Sequence, residues 1–507
     1  MSAISTLAQA VDNRLNPIVV KELRQAVQSK FVTVMILLLL VGQVTIIGLW
    51  MLFDEHIATR ITAGREMFMV LLGMLVAVSS LLVPLYTGVR FAFERSDTNM
   101  ALLYGTTISP WAIIRGKFFC AAVVAAIIYG ACMPFIVLTY LLRGVDVPTI
   151  LLALTVGYMV LLAVTALTIF LASPRLALGW RIVLGLVAAG SIVVSVGTVI
   201  GISSSPLRGM GMMMGSWKFW AGFMTFAAIW AAFIVLCLQC AVAVISPPLS
   251  NRTRPIRIAV TSIVVVCGVI ALAWSDWGSR IDVMFGWLIP VMILLCLAML
   301  VAISERDHLS LRVARTVPRS MFWRPLAMLY FSGWAGGVLW ILLTGAACLG
   351  AVWIMATWVW PWVSAAERIS EKLASLLGIF LYVYAYCMSA LLLTRTVLKG
   401  PMAPSRTWIL AILIGAMCNV LPLLVGFMVS SGSWWNVYEE GLVLLGGPMC
   451  LADQGVRDYG LVVSIAWSIV VTMACVPLFK QQFVQFKPPV DAIAEPAKVQ
   501  ADAAELP

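Results

Sequence analysis

Side chains able to do chemistry are sparse in this 507-residue chain and fall in a few short stretches. Acidic residues gather at Asp54-Glu55, Glu439-Glu440, Asp453 and Asp458. Carboxylates grouped in this way can hold a divalent metal or exchange a proton with a sugar hydroxyl, as a membrane glycosyltransferase requires. Paired acids on a loop are more often solvated charge. The two histidines, His56 and His308, lie 252 positions apart and no His-Glu-x-x-His occurs, so a His-rich metal centre has no ligands here. Cys237 and Cys240 stand one helical turn apart, but no His or carboxylate is near them in sequence. Most of the 11 cysteines are single residues within apolar runs, where cysteine behaves as a small hydrophobe. No Gly-x-x-x-x-Gly-Lys-Ser/Thr is present, so this chain does not hydrolyse ATP through a phosphate-binding loop. No catalytic group, metal site or cofactor site of its own is expected.

The elements that position these residues follow from composition. Hydrophobic residues make up 62 % of the chain and charged ones 11 %, and mean hydropathy is +1.03; water-soluble domains run near 45–50 % apolar and about 25 % charged. The chain reads as an all-α, polytopic integral membrane protein. Runs long enough for the roughly 20 residues that cross a bilayer are 31–53, 67–89, 118–141, 149–172, 182–202, 219–245, 258–274, 283–303, 333–358, 373–393, 407–430 and 459–479, about twelve transmembrane helices. The first follows thirty mostly polar residues, so it is expected to be a retained anchor rather than a signal peptide.

Charge orients these spans. With both termini placed in the cytoplasm, the inner segments hold 24 of the 33 Lys+Arg and 10 of the 22 Asp+Glu, giving +14 inside and −3 outside. That asymmetry is the positive-inside pattern. It accounts for the net charge of +11 without nucleic acid as a partner. Each of the 55 charged residues falls in a loop or at a span end, and only neutral polar groups such as Gln43, Gln239 and Asn419 remain within the spans. Ion-coupled carriers usually keep an ionisable side chain inside the membrane. Energy for transport is therefore expected to enter from outside the membrane domain.

Two cytoplasmic segments carry more than a connector needs. From Asn16, an N-cap, and Pro17 at the first helical position, the sequence predicts a short amphipathic helix to Lys30. Val19, Leu23, Ala26 and Val27 form its apolar face, while Lys21, Arg24, Gln25 and Gln28 point elsewhere. Such a helix is either a plain interfacial anchor or an elbow that transmits motion from a partner. The loop from Arg90 to Lys117 predicts two short helices around a Gly105-Thr106-Thr107 turn. Ser96 or Asp97 caps the first, and Ser109-Pro110 starts the second, which runs into the third span. Its Leu102, Leu103, Tyr104 and Trp111 lie against the bilayer, their own bundle or a partner groove.

The order Asn16-Pro17-x-x-x-Lys21-Glu22-Leu23-Arg24, one span pair, then Glu94-Arg95, Leu102-Leu103, Thr107-Ile108-Ser109 and Gly116-Lys117 resembles the ABC-2 type transporter permeases. Here Asp97-Thr98 stands where that family usually has Gly-Thr, and Thr107 where it has Pro. The motif-bearing match covers about residues 14–141 and extends to about 250. The resemblance implies an elbow helix (Asn16, Pro17, Lys21, Glu22, Arg24) and six spans. It implies a coupling helix between spans 2 and 3 (Glu94, Arg95, Leu102, Leu103, Thr107, Ile108, Ser109, Lys117) that docks a separate cytoplasmic ATP-binding cassette subunit, where ATP is bound.

The expected organisation is 1–30 cytoplasmic with the elbow helix, 31–250 a permease-like six-span half, 251–487 a second six-span half and 488–507 a disordered tail. In the second half Glu305-Arg306 and Thr316-Val317 echo Glu94-Arg95 and Thr107-Ile108, as a degenerate duplication or as chance likeness of two basic loops. The expected function is the permease subunit of an exporter in the bacterial inner membrane. The alternatives are a polytopic enzyme using outer carboxylates and an ion-coupled carrier. Expected partners are the ATPase subunit, the lipid bilayer, an unidentified substrate and, if one chain supplies a single permease half, a second copy of it.

Overall fold

The apolar runs fold as helices. The structure, a computed structural model, describes residues 17–53, 63–94, 109–142, 145–174, 185, 190, 193, 197, 214–247, 250–275, 280–305, 310–318, 320, 322–359, 366–398, 404–429 and 457–486. Among them there is no strand, and ten helices are long and apolar enough to cross a membrane. The chain divides into two compact units, Met1–Pro247 and Pro248–Pro507.

The first unit contains α1 (Pro17–Val27), α2 (Lys30–Phe53), α3 (Ala63–Glu94), α4 (Pro110–Leu141), α5 (Val147–Ala172) and α6 (Trp217–Ile245). Local sequence sets several of the starts. Pro17 opens α1, and Ser109 caps α4 by accepting the Ala112 amide at 3.2 Å, with Pro110 next. Ser216 caps α6 in the same way. The 32 residues of α3 and of α4 span about 48 Å each at 1.5 Å per residue, well beyond a ~30 Å hydrocarbon core. Both helices therefore run past the expected spans 67–89 and 118–141, and their protruding turns carry charge.

The core of this unit is a stripe of α2 (Val32, Met35, Leu39) packed on α3, α4 and α5. A second cluster joins Phe91, Ile114, Ala166, Ile169 and Ala172 to Cys237, Leu238, Ala241 and Ile245 of α6. The approach of α3 to α5 needs a glycine: a Cβ on Gly88 would lie 2.6 Å from Thr168 Cγ2. The C-terminal ends of α5 and α6 meet at this second cluster. The expected span 182–202 lies largely outside the described residues.

The second unit contains α7 (Thr253–Ser275), α8 (Arg280–Ala302), the short α9 (Leu311–Ala314) and α10 (Arg324–Tyr330), α11 (Trp334–Ile354), α12 (Ala366–Thr396), α13 (Thr407–Val429) and α14 (Arg457–Gln485). A π-helical turn, Met355–Val359, extends α11. Polar bonds stitch α12 to α14 within their apolar contact: Tyr382 OH donates to Gly460 O at 3.0 Å and Trp467 Nε1 to Ser389 Oγ at 3.2 Å, and Tyr384 OH bonds Thr472 Oγ1 at 2.7 Å. Such bonds between membrane helices are each worth about 0.6–2 kcal/mol. At the start of α11 a Cβ on Gly336 would stand 2.2 Å from Met328 O, so only glycine lets α10 seat there.

Candidate functional site

Three helix segments of the first unit meet at four charged side chains. Glu22 comes from α1, Arg90 and Glu94 from the last turns of α3, and Lys117 from the second turn of α4. Lys117 Nζ donates to Glu22 Oε1 at 2.9 Å and also to Glu94 Oε2. Arg90 Nε donates to Glu94 Oε1 at 3.4 Å, and its Nη2 is 3.5 Å from Glu22 Oε2. Arg90 also donates to Tyr86 OH at 2.7 Å and to Gln25 Oε1. The side chains of Lys117 and Glu22 are 7 % and 9 % exposed, so their charges are largely out of water. Two cations face two carboxylates, and the cluster is neutral as a whole.

The surroundings hold that arrangement in place. Lys117 Nζ lies 5.4 Å from the Phe91 ring centre. Phe31, at the start of α2, stacks on Tyr86 with centroids 5.3 Å apart. A cavity of about 20 Å³ between Glu22, Thr87, Arg90 and Lys117 has room for one water. Beside it a groove of about 810 Å³ is lined by Gln25, Phe31, Tyr86, Val89, Arg90 and Phe93.

Of the expected coupling residues, the structure brings Glu94 and Lys117 together, and the expected elbow residue Glu22 joins them. Ser109 is the α4 cap. Arg95, Leu102, Leu103, Thr107 and Ile108 lie outside the described residues, as does Asn16. Pro17 begins α1, and Lys21 and Arg24 are exposed. Of the expected apolar face of α1, Val19 and Ala26 are buried and Val27 is 57 % exposed, and Glu22 is buried beside the first two. Glu22 turns inward because Lys117 gives its carboxylate a partner there. The sequence reading missed Arg90 and Tyr86 as members of the site. Their signal was present in the i, i+4 series Tyr86–Arg90–Glu94, which places all three on one helix face.

The second unit has a comparable knot. Arg257, in the second turn of α7, directs Nη2 at both oxygens of Glu305 (2.6 Å each) and Nη1 at Leu329 O and Phe331 O (2.8 Å each). Glu305 Oε2 also accepts the Gly333 amide at 2.7 Å. Burial pushes the Glu305 carboxyl up, and the guanidinium and the Gly333 N–H pull against that rise. Ala335 N donates to Gln482 Oε1 at 2.8 Å, tying the end of α14 to the same place. Glu94, the last residue of α3, and Glu305, just past α8, thus occupy like positions at the end of the second helix of a span pair. Their cations come from different helices.

No group of three or more His, Cys, Asp or Glu side chains able to hold a metal occurs among the described residues. Glu439, Glu440 and Asp453 lie outside them. The helices and their apolar lengths define the class: an all-α protein of the multi-pass membrane type. No family model, curated protein or solved structure matches the chain.

Proposed function

We propose that this chain is the membrane-spanning permease subunit of an ABC-2 type transporter, an exporter of a bacterial inner membrane, driven by a separate cytoplasmic ATPase subunit. The observation that carries the reading is the Glu22–Arg90–Glu94–Lys117 cluster. Glu94 and Ser109 border the loop expected to dock the ATPase, and the cluster ties both flanks of that loop to α1. A push on the loop then reaches α1 through charge-assisted bonds about 3 Å long rather than through compliant side-chain packing. The Lys117–Glu22 pair also resists partial motion, because both side chains are buried and separating them leaves a charge unpaired out of water. In this reading α1 is an elbow, and the cluster makes α1, α3 and α4 move as one body.

The test is co-purification. Replacing Glu94 with Lys, or Leu102 and Leu103 together with Asp, should abolish recovery of a cytoplasmic ATPase subunit with the chain while the permease still inserts in the membrane. Stoichiometric ATPase with full transport in both variants overturns the docking assignment.

A further inference from the structure

The second unit has an apolar groove of about 420 Å³ walled by α7, α8 and α11, within the roughly 300–1,000 Å³ of small-ligand sites. Thr261, Val265 and Val269 line it on α7, Trp287 on α8, and Trp340 and Leu343 on α11. Its rim is open: Val265, Val269 and Leu343 are each more than half exposed. Its indole and threonine hydrogens are already used. Trp340 Nε1 donates to Thr261 Oγ1 at 3.0 Å, Thr261 Oγ1 to Arg257 O at 2.8 Å and Trp287 Nε1 to Val264 O at 3.2 Å. Apart from the Tyr330 hydroxyl at one end and the Cys348 thiol, an occupant meets hydrocarbon and ring faces. A hydrogen-bonding solute would lose its water there and gain nothing.

Length and charge narrow the occupant further. From Thr261 to Leu272 the groove wall rises eleven residues, about 16 Å, which is half of a ~30 Å hydrocarbon core. That is the depth of one leaflet. Arg254 lies on the same α7 stripe, one step of i+7 before Thr261 and so about 10 Å nearer the helix end. Its side chain is exposed and carries no ion pair among the described residues. Phe322 and Trp323, 82 % and 56 % exposed, precede α10, whose Tyr330 closes this end of the groove. Aromatic side chains of that kind sit at the headgroup level of a bilayer.

The geometry points to a bound phospholipid: one acyl chain lies in the groove and its anionic phosphate is held by Arg254. Lipid tails are as apolar as the groove wall, so burial alone does not separate this lipid from its neighbours. The guanidinium holds phosphate oxygens in a fork and favours an anionic headgroup over a zwitterionic one, whose own cation it repels. The acyl chain fits between Trp287 and Trp340. The site is independent of whether an ATPase drives the chain.

Native mass spectrometry of the full chain in detergent, titrated with phosphatidylglycerol or phosphatidylcholine, tests it. One tight adduct is expected, with phosphatidylglycerol preferred. Arg254→Gln should weaken phosphatidylglycerol about fivefold, the worth of one basic side chain at a lipid surface, and erase the preference. Filling the groove with Val265→Trp and Leu343→Trp should remove the adduct for both lipids, whereas Val41→Trp on exposed α2 should not. Equal adducts in all variants, or equal loss with Val41→Trp, overturn the site. Should the groove variant misfold, a phospholipid with a photoreactive chain replaces it on the wild-type chain. Crosslinks within 261–272 and 340–355 support the site, and crosslinks confined to other segments overturn it.

Discussion

At the scale of single residues, Lys117 decides how the charged cluster behaves. Its ammonium touches both Glu22 and Glu94, so removing it leaves two carboxylates to share Arg90. A buried ion pair adds little net stability, but breaking one by removing a partner costs about 3–5 kcal/mol. Lys117→Met is therefore expected to lower stability in detergent by about that amount, and adding Glu22→Gln should restore part of it. A coupling energy of roughly 0.5–3 kcal/mol is the expected sign of direct contact. Strictly additive losses in thermal or denaturant unfolding would mean that the two residues do not interact. Exposed Lys21 and Arg24 of α1 have no such partner among the described residues, and their replacement by Gln should leave stability unchanged within about 0.5 kcal/mol.

Among elements, what could be read in advance depended on how a segment declares itself. Apolar runs announce spans because a bilayer demands about 20 such residues, and the expected 31–53 and 149–172 correspond closely to α2 and α5. Helix ends were harder. Ser109-Pro110 starts α4 eight residues before the apolar run at 118, since a cap and a proline at the first position outweigh hydropathy there. The partners of charged residues were not legible at all: nothing local pairs Glu22 with Lys117 or Arg257 with Glu305, which are brought together by helix packing across 95 and 48 positions. The Arg257 knot shows what such packing demands of a side chain. The planar guanidinium reaches two backbone carbonyls and a carboxylate at once, a spread that an ammonium cannot match. Arg257→Lys should keep the charge yet cost about 2–3 kcal/mol through carbonyls left unpaired. Unfolding midpoints equal to those of the wild type would show that the knot is not a fastening point for α7 and α10.

For the whole molecule, direction across the membrane and the source of energy remain tied to charge. The proposed topology puts both termini and the loop 304–332 in the cytoplasm and 431–458 outside, as the net +14 and −3 require. In a background without native cysteines, a membrane-impermeant thiol reagent added from outside should label a cysteine introduced as Asn436→Cys and spare one introduced as Ser310→Cys; the reverse result overturns the orientation. Energetics follows from what the spans contain. The helices do hold Arg90, Lys117 and Arg257, but each lies in the turns near a helix end and is matched by a carboxylate. Deeper in, the polar groups are neutral: Gln43 is fully buried with its amide unbonded among the described residues, and Asn419 donates to Gly415 O at 2.7 Å. A proton has no carboxylate there to ride on. Sodium can bind to unwound backbone, as in broken-helix carriers; α2, α5 and α6 are continuous over their described lengths, whereas α3, α4, α8 and α14 each carry an internal proline and α11 ends in a π-helical turn. The expected outcome, once a substrate is known, is that liposomes holding this chain alone do not transport under an imposed proton or sodium gradient, and that transport begins when the ATPase and ATP are supplied. Gradient-driven flux without ATPase or nucleotide would sink the permease reading and make the chain a carrier.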